Sequence, residues 1–345
     1  MNIAVQFPSH RISAFKPVSR ILVNIAAACV LVMAWSSLAC AQGWQPSRKV
    51  EYLVPSGPGA ALDLAAREMT QTLERKKMID QPIIVSNRSG GAGTVAIQAL
   101  LQHSGDGHWL STFTTGMLNA RAIGNVAASY EELTPIAVML EESIVVAVRA
   151  DSPIKNAKDL VDKLKAAPNS LSIGVATAIG NHIHAGIAKP LKVAGVDIAK
   201  LQMIPFKSSA ESMTALLGGH LDLVAASTPN VITQMQAGRI RVIAVATAER
   251  LSGVLSSIPT WTEQGVPAVF SSVQGVLGPK GMTPEQIKYW EDAFRTVSET
   301  PEWKKFLAAQ NWRPMFMGSA EMSRYLATEY TATKSLIDDL KLQSK

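Results

Sequence analysis

Residues 50–67, VEYLVPSGPGAALDLAAR, decide the fold, because they read as a strand, a tight turn and a helix in immediate succession. The apolar run at 50–54 ends at Pro55, and an SGPG turn follows at 56–59. Apolar side chains then recur at helical spacing, at Leu62, Ala65, Ala66, Met69 and Leu73. A glycine-rich turn before a helix directs free N–H groups and a positive helix end toward an anion. We therefore predict an anion-binding loop here; an ordinary βα connection is the alternative.

Beyond this unit, short β-type runs alternate with helical patterns along the chain. The predicted strands lie at 50–54, 82–85, 109–113, 136–140, 144–148, 171–175, 201–204, 221–225 and 241–246. Such alternation is typical of α/β folds with largely parallel sheets. The chain leaves one predicted domain near 141–153 and returns to it near 241–249. This pattern predicts a discontinuous domain 1 (42–143 plus 250–345) and a domain 2 (144–249). Ligands of such folds bind between domains, at the carboxyl ends of strands.

The first residues have the pattern of a secretory signal peptide. Basic residues precede an apolar run at 21–35, and Ala39-x-Ala41 follows as a small-residue cleavage site. Residues 1–41 are therefore predicted to be removed on export. Cys29 and Cys40 both lie in this leader, which leaves the mature chain without a disulfide or a thiolate metal site. A lipoprotein attached through Cys40 is the alternative interpretation.

The charge of the chain argues against a nucleic-acid partner. The formal net charge is +6, and three of the basic residues (Arg11, Lys16 and Arg20) belong to the predicted leader. The remaining charges are dispersed, with no block of lysine or arginine and no alternation with aromatic residues. A nucleic-acid surface needs such a cluster, so we predict none.

Three predicted strand-to-helix loops, 56–61, 86–94 and 176–181, are rich in small residues. If two of them face each other across a cleft, their N–H groups converge on one point, which suits a carboxylate. Three independent turns are the alternative. Asp63, in the first helical turn, either complements the helix dipole or fixes the first loop by accepting hydrogen bonds from its amides.

Patterns for cofactors, metals and catalysis are weak or missing. Residues 91–96 match a relaxed dinucleotide fingerprint, but the acidic residue expected about 20 positions later is absent. His182 and His184 follow a candidate cap, Asn181, and their spacing points them to different sides of a helix, so they cannot chelate one ion. Zincin, Walker and nucleophile-elbow motifs are absent as well. We predict no cofactor, no metal site and no catalytic residues.

A series of short motifs follows one another through the mature chain. They are PSGPGAALDLAAR at 55–67, NRSG at 87–90, DGHWL at 106–110, LTPIA at 133–137, residues 152–160, AGVD at 194–197, LLGG at 216–219, QAGR at 236–239, IPT at 258–260 and EQGVP at 263–267. Together and in this order they resemble the Bug-type (TctC-like) periplasmic substrate-binding proteins of tripartite tricarboxylate transporters. The resemblance covers essentially the whole mature chain.

This resemblance implies an α/β, two-domain periplasmic-binding-protein fold (Venus flytrap, type II) with a ligand cleft between the domains. It implies a monomer that catalyses no reaction, binds a small organic carboxylate and passes it to membrane permease subunits. Main-chain groups of the first loop and ordered waters would hold the carboxylate. The implied ligand-binding residues are Ser56, Gly57, Pro58, Gly59, Ala60, Ala61 and Asp63 in domain 1, and Thr177, Ala178, Gly180, Asn181, His184 and Ser227 in domain 2.

Four departures from the family pattern leave the ligand open. Ala60 replaces a glycine, Phe206 a frequent tyrosine, Ala226 a frequent acidic residue, and Val273-Gln274 a frequent Trp-Phe pair. Dicarboxylates, aromatic acids and amino acids all fit the first loop. Two other functions also stay open: a periplasmic sensing module, and a secreted α/β enzyme with Asp63 and His184 as its acid–base pair.

Overall fold

Two β-sheets organise the part of the chain that the structure describes. The computed structural model describes residues 43–90, 93–124, 130–176 and 178–342. The predicted signal peptide, Cys40 and Thr177 lie outside these residues. Gln45–Lys345 belongs to one compact unit. In the described ranges no helix combines the length and the apolar character that crossing a membrane requires.

The strands and helices alternate as the sequence predicts. The strands are β1 (Val50–Val54), β2 (Ile83–Asn87), β3 (Trp109–Thr114), β4 (Leu133–Glu142), β5 (Ile144–Arg149), β6 (Ser172–Ala176), β7 (Gln202–Phe206), β8 (Leu223–Ser227), β9 (Ile240–Val245), β10 (Ser272–Pro279) and β11 (Arg313–Gly318). The helices are α1 (Ala61–Arg75), α2 (Thr94–Leu101), α3 (Thr115–Ile123), α4 (Ala157–Ala166), α5 (His182–Val193), α6 (Ser209–Leu217), α7 (Ile232–Gln236), α8 (Pro284–Glu299), α9 (Pro301–Gln310) and α10 (Ser319–Asp339).

The first sheet, in the first lobe, has the strand order β11-β4-β10-β3-β1-β2. Strand β1 pairs in parallel with β2 and β3, and β10 runs antiparallel between β3 and β4. Strands β3 and β4 therefore point the same way, and their carboxyl ends, Thr114 and Glu142, lie on the edge where β1 ends at Val54. This edge carries the predicted anion-binding loop.

The second sheet, in the second lobe, has the order β7-β6-β8-β5-β9. Strands β6, β7 and β8 are parallel, and β5 is antiparallel to β8, with Ile144 opposite Ser227. The carboxyl ends of β6 and β8 thus lie at the edge where β5 begins. Only Ser143 separates β4 from β5, so the chain crosses directly from the carboxyl edge of one sheet to that of the other.

Alternating side chains of β5 pack on opposite faces of the second sheet. Ile144, Val146 and Val148 join one hydrophobic cluster, and Val145 and Ala147 join the other. A strand that is buried on both faces needs a continuous apolar run rather than an alternating one. This requirement explains the apolar run IVVAV at 144–148.

The C-terminal helix α10 belongs to both lobes. Met322 and Leu326, near its start, lie in the cluster of the first sheet. Leu336 and Ile337, near its end, lie in the cluster under the second sheet. A helix of 21 residues is about 30 Å long, which is enough to span both cores.

The α/β fold class is confirmed, and each predicted strand overlaps an observed one. Two strands, β10 and β11, were not predicted, because Gly275, Gly278 and Pro314 make their sequences read as loops. Pairing on both sides nevertheless buries β10 along its whole length. The domain boundaries stay a prediction; Trp261 and Phe270 pack in a cluster with side chains of the second sheet.

Gly275 offers a test of this central strand. A β-carbon at position 275 would lie 2.3 Å from the carbonyl oxygen of Ala137 on β4, at a register shift between the two strands. We expect Gly275→Ala to lower the free energy of unfolding by about 2–3 kcal/mol, because the strands must move apart. Urea denaturation measures this change.

Gly57→Ala is the matched control, since no heavy atom lies within 4 Å of a β-carbon there. It should change the free energy of unfolding by less than about 0.5 kcal/mol. Equal effects of the two substitutions would contradict the close approach of β10 to β4.

Candidate functional site

The carboxylate of Asp63 fixes the first loop, residues 56–61, by hydrogen bonds. Its Oδ2 accepts hydrogen bonds from the Gly59 N–H (2.8 Å) and from Nε of Arg67 (2.9 Å). Its Oδ1 accepts a bond from Nδ2 of Asn87 (2.9 Å), which also donates to the Ser56 carbonyl (2.9 Å). The side chain is buried. Of the two roles predicted for Asp63, the structure therefore shows the loop-fixing one.

These hydrogen bonds keep Asp63 ionised. Burial alone would raise the pKa of the carboxyl, but the bonds from Arg67, Gly59 and Asn87 and the charge of Arg67 outweigh it and lower the pKa. The stabilisation is therefore present above the ordinary range of an aspartate and is lost as the pH falls through the folded-state pKa.

The loop presents main-chain N–H groups to its surroundings. Gly59 has a φ of +76°, which glycine adopts without strain and which turns the chain into α1. Ala60, the N-cap, offers no side-chain acceptor. The N–H groups of Ala61 and Leu62 find no acceptor within the described ranges. Residues 58–61 are exposed, so a ligand anion can reach the positive end of the helix.

The loop at 176–181, called the second loop from here on, is fixed by its own helix cap. Oδ1 of Asn181 accepts the His184 N–H (3.0 Å), and its Nδ2 donates to the Ala176 carbonyl (2.8 Å). Nδ1 of His184 accepts the Gly180 N–H (2.8 Å). Gly180 has a φ of +84°, and Ala178 is exposed at the loop tip. The predicted capping role of Asn181 is confirmed.

Burial keeps His184 neutral. The side chain is 1% exposed, and burial lowers its pKa from 6.5 to about 4. Because Nδ1 accepts a hydrogen bond, the proton of the neutral ring sits on Nε2, which has no partner among the described residues. His182 lies on a different side of α5, as the spacing of the two histidines predicts.

Helix α3 lies against the loop at 86–94 and the loop at 176–181. Its Gly116 faces His182 so closely that a β-carbon there would lie 3.4 Å from Nδ1. Its Met117 contacts the position of Gly93, in the third small-residue loop. Nδ2 of Asn119 donates to the Gly180 carbonyl (2.8 Å), which ties the first lobe to the second loop.

A polar cluster that the sequence did not predict as a site lies at the crossing between the sheets. Glu142, the last residue of β4, lies in this cluster with the side chains of His182, Ser227 and Gln274 around its carboxyl group. Nε2 of His182 lies 3.6 Å from Oε2 of Glu142. Ser227 is the only member predicted as a ligand residue. The available signal was the acidic pair EE at 141–142, which interrupts a long apolar run.

Glu142 is ionised although only 12% of its side chain is exposed. Removal from solvent would raise the pKa of the carboxyl, but the interactions with His182, Ser227 and Gln274 outweigh it and lower the pKa. Ala226, one of the departures from the family pattern, packs in a hydrophobic cluster instead. Phe206 packs against the same cluster.

The predicted residues thus form two separate fixed loops, with Ser227 in the cluster between the sheets. Asp63 and His184 lie beneath their loops and hold them, while residues 58–61 and Ala178 are accessible from outside. Thr177 lies outside the described residues. In the ranges that the structure describes, no three histidine, cysteine or acidic side chains are grouped so that they could hold a metal ion.

Comparison with known proteins identifies the family. The model of the TctC family, described as the tripartite tricarboxylate transporter family receptor, matches residues 65–342. The chain belongs to this family. Receptors of the TctC family are periplasmic binding proteins that take up a substrate for a transporter. The resemblance found from the sequence motifs is confirmed.

Individual relatives agree in sequence and in fold. The chain is 27% identical over 298 residues to the UPF0065 protein in the gbd 5' region of Cupriavidus necator, covering 86% of this chain and 89% of that protein. A TctC solute-binding protein from Polaromonas, solved without ligand, is 24% identical and superposes with a TM-score of 0.73 over 86% of this chain and 99% of that one.

A structure from R. palustris, Rpa4515, was solved with adipate. It is 24% identical to this chain and has a TM-score of 0.72, over 86% of this chain and 98% of its own. Both structural neighbours have the two-domain fold of periplasmic solute-binding proteins, so the predicted fold is confirmed.

We expect Asp63→Asn to lower the free energy of unfolding at pH 7 by about 2 kcal/mol. The amide would turn an N–H group toward a donor, either Asn87 or the Gly59 N–H. The ion pair itself contributes little, because the side chain of Arg67 is 41% exposed. Urea denaturation measures the loss.

The control for this variant is Asp162→Asn, which removes an exposed carboxylate that pairs with Lys158 four residues away. It should change the free energy of unfolding by less than about 0.5 kcal/mol. A loss no larger for Asp63→Asn than for the control would show that Asp63 does not hold the loop.

We expect His184 to make the protein acid-sensitive. The unfolded state takes up a proton below pH 6.5 and the folded state only near pH 4, so stability falls by up to about 3 kcal/mol across that window. His184→Asn keeps an acceptor for the Gly180 N–H and does not titrate. Its free energy of unfolding should change less between pH 7 and pH 4 than that of the wild type. Parallel pH profiles would contradict the buried neutral histidine.

Proposed function

We propose that this chain is a periplasmic solute-binding protein that captures a small carboxylate-bearing organic anion and delivers it to the permease subunits of a tripartite tricarboxylate transporter. The observation that carries the proposal is the first loop, where Asp63 holds the chain and the N–H groups of Ala61 and Leu62, at the positive end of α1, have no acceptor among the described residues. The family assignment supports the same role.

The ligand binds between the two lobes in this proposal. Domain 1 comprises 42–143 plus 250–345, and domain 2 comprises 144–249, with the first and second loops on opposite sides of the cleft. The protein is a monomer, and residues 1–41 are a signal peptide that is removed on export. Bound adipate in the R. palustris neighbour supports a carboxylate as the ligand class.

The same proposal includes the absence of catalysis. His184 has one ring nitrogen bonded to the Gly180 N–H and is buried, and Asp63 uses both oxygens to hold its loop. A general acid or base must reach its substrate. Both side chains instead act on the shape of the loops, and the chain binds its ligand unchanged.

The experiment is a thermal-unfolding screen of the mature protein, shown by native mass spectrometry to be free of ligand. The panel contains mono-, di- and tricarboxylates, among them adipate, malate, succinate, citrate and benzoate. A true ligand raises the melting temperature progressively with its concentration, as mass action requires. A panel without any such rise, up to millimolar concentrations, would contradict the proposal.

Ala61→Pro tests the loop itself. Proline fits the first position of a helix, and Ala60 has extended backbone angles that tolerate a following proline. The variant should keep its melting temperature without ligand but lose one N–H donor. We expect the Kd for the best carboxylate to rise about tenfold or more, as for a hydrogen bond to a charged group. Isothermal titration calorimetry measures it, with Asp162→Asn as the control; an unchanged Kd would place the carboxylate elsewhere.

A further inference from the structure

The carboxylate of Glu142 distinguishes the cluster at the crossing between the sheets. Among the described residues, Glu142 forms an ion pair with no lysine or arginine, and Nε2 of His182 lies 3.6 Å from its Oε2. Its neighbour Glu141 differs, because Nη1 of Arg313 lies 3.0 Å from Oε2 of Glu141. A carboxylate that is largely removed from solvent is costly unless it is paired and hydrogen-bonded. Glu142 can therefore accept a positively charged group.

The cluster also has a hydrogen-bond acceptor left over. The side chain of Gln274 is 5% exposed and bonds to Glu142, and its Oε1 has no partner in the part of the chain that the structure describes. A glutamine can donate only through its nitrogen, so this oxygen needs a donor from elsewhere. Buried polar atoms of native proteins seldom lack one.

The position of the cluster connects it to the ligand cleft. Glu142 and Thr114 end parallel strands of the first sheet, and Ser227 ends a strand of the second sheet. His182 begins α5 directly after the second loop and faces Gly116 at the start of α3. Ligands of open α/β sheets bind at such carboxyl ends. The cluster therefore lies where the edges of both sheets meet.

An ammonium group supplies what the cluster lacks. It brings a positive charge to Glu142 and N–H donors to Oε1 of Gln274 at the same time. A hydroxyl would satisfy the glutamine oxygen but would bring no positive charge to Glu142. A second carboxylate would meet an ionised carboxylate at close range and would be repelled.

We propose that Glu142 and Gln274, with His182 and Ser227, form a specificity site for an ammonium group, so that the ligand is an amino carboxylic acid. This inference rests on the proposed function, because the carboxylate of the same ligand would bind at the first loop. Glu142 and Gln274 select the ligand by its ammonium group, and the first loop binds the carboxylate that all candidate ligands share.

The test uses sets of acids that differ in one substituent. The sets are aspartate, malate and succinate; glutamate, 2-hydroxyglutarate and glutarate; and 4-aminobutyrate, 4-hydroxybutyrate and butyrate. Isothermal titration calorimetry with the ligand-free wild type gives the Kd of each. In at least one set, the amino acid should bind at least tenfold more tightly than the hydroxy acid and the unsubstituted acid.

Two variants assign the preference to the cluster. Glu142→Gln keeps the shape of the side chain and removes its charge, and it should abolish the preference for the amino acid while the unsubstituted acid binds as before. Glu141→Gln is the matched control, since the carboxylate it removes is paired with Arg313, and it should keep the preference. Circular dichroism shows whether both variants fold. The comparison of the ligands on the wild-type protein does not depend on the variants.

The outcomes separate this inference from the proposed function. If unsubstituted acids bind as tightly as amino acids, or if a hydroxy acid binds best, the ammonium site is wrong and carboxylate binding stands. If the preference survives in Glu142→Gln, the cluster does not select the ligand. If neither these acids nor the wider carboxylate panel binds the wild type, both proposals are wrong.

Discussion

The chain passes between its two sheets with a single intervening residue, Ser143, and much of the structure depends on this constraint. A connection that short leaves no freedom to place the sheets apart, so the end of β4 and the start of β5 must adjoin. Strands parallel to β4 end beside it, and β8 ends opposite the start of β5. The loops that follow these strands are therefore directed into one region.

Both loops in that region are held by side chains of their own lobes, of which Asp63 and His184 are buried. Asp63 and Asn87 fix the first loop, and Asn181 and His184 fix the second. In the proposed function, the hydrogen bonds of these side chains set the loop conformations, so that binding would not have to order them. Such preorganisation would reduce the entropic cost of association. The small residues at the loop tips would let the proposed ligand approach the main chain itself.

Much of the fold could be predicted because apolar runs bounded by turns are local signals. Strands such as β5, buried on both faces, are continuous in sequence as well as in space. β10 could not be predicted this way, because Gly275 and Gly278 are required by close neighbours, Ala137 of β4 and Met282 in the loop before α8. Only the contacts of these two glycines in the folded protein show why they suit a central strand.

The candidate site likewise has a part that short-range patterns predict and a part that they do not. The cap at Asn181 and the turn before α1 are short-range patterns, and both were recognised in the sequence. The contact between Glu142 and Gln274 joins residues more than a hundred positions apart, and no spacing rule connects them. Asn87 likewise meets Asp63 only because β2 lies beside β1. Long-range side-chain chemistry needed the topology first.

Helix α10 contributes side chains to the hydrophobic clusters of both lobes. Neither core is complete without it, because Met322 and Leu326 belong to one and Leu336 and Ile337 to the other. Unfolding of either lobe would remove the packing at one end of the helix and would destabilise the packing at the other end. The two lobes are consequently joined thermodynamically as well as by the chain. A calorimetric scan should show one cooperative transition, with equal calorimetric and van't Hoff enthalpies, in a molecule built on two separate sheets.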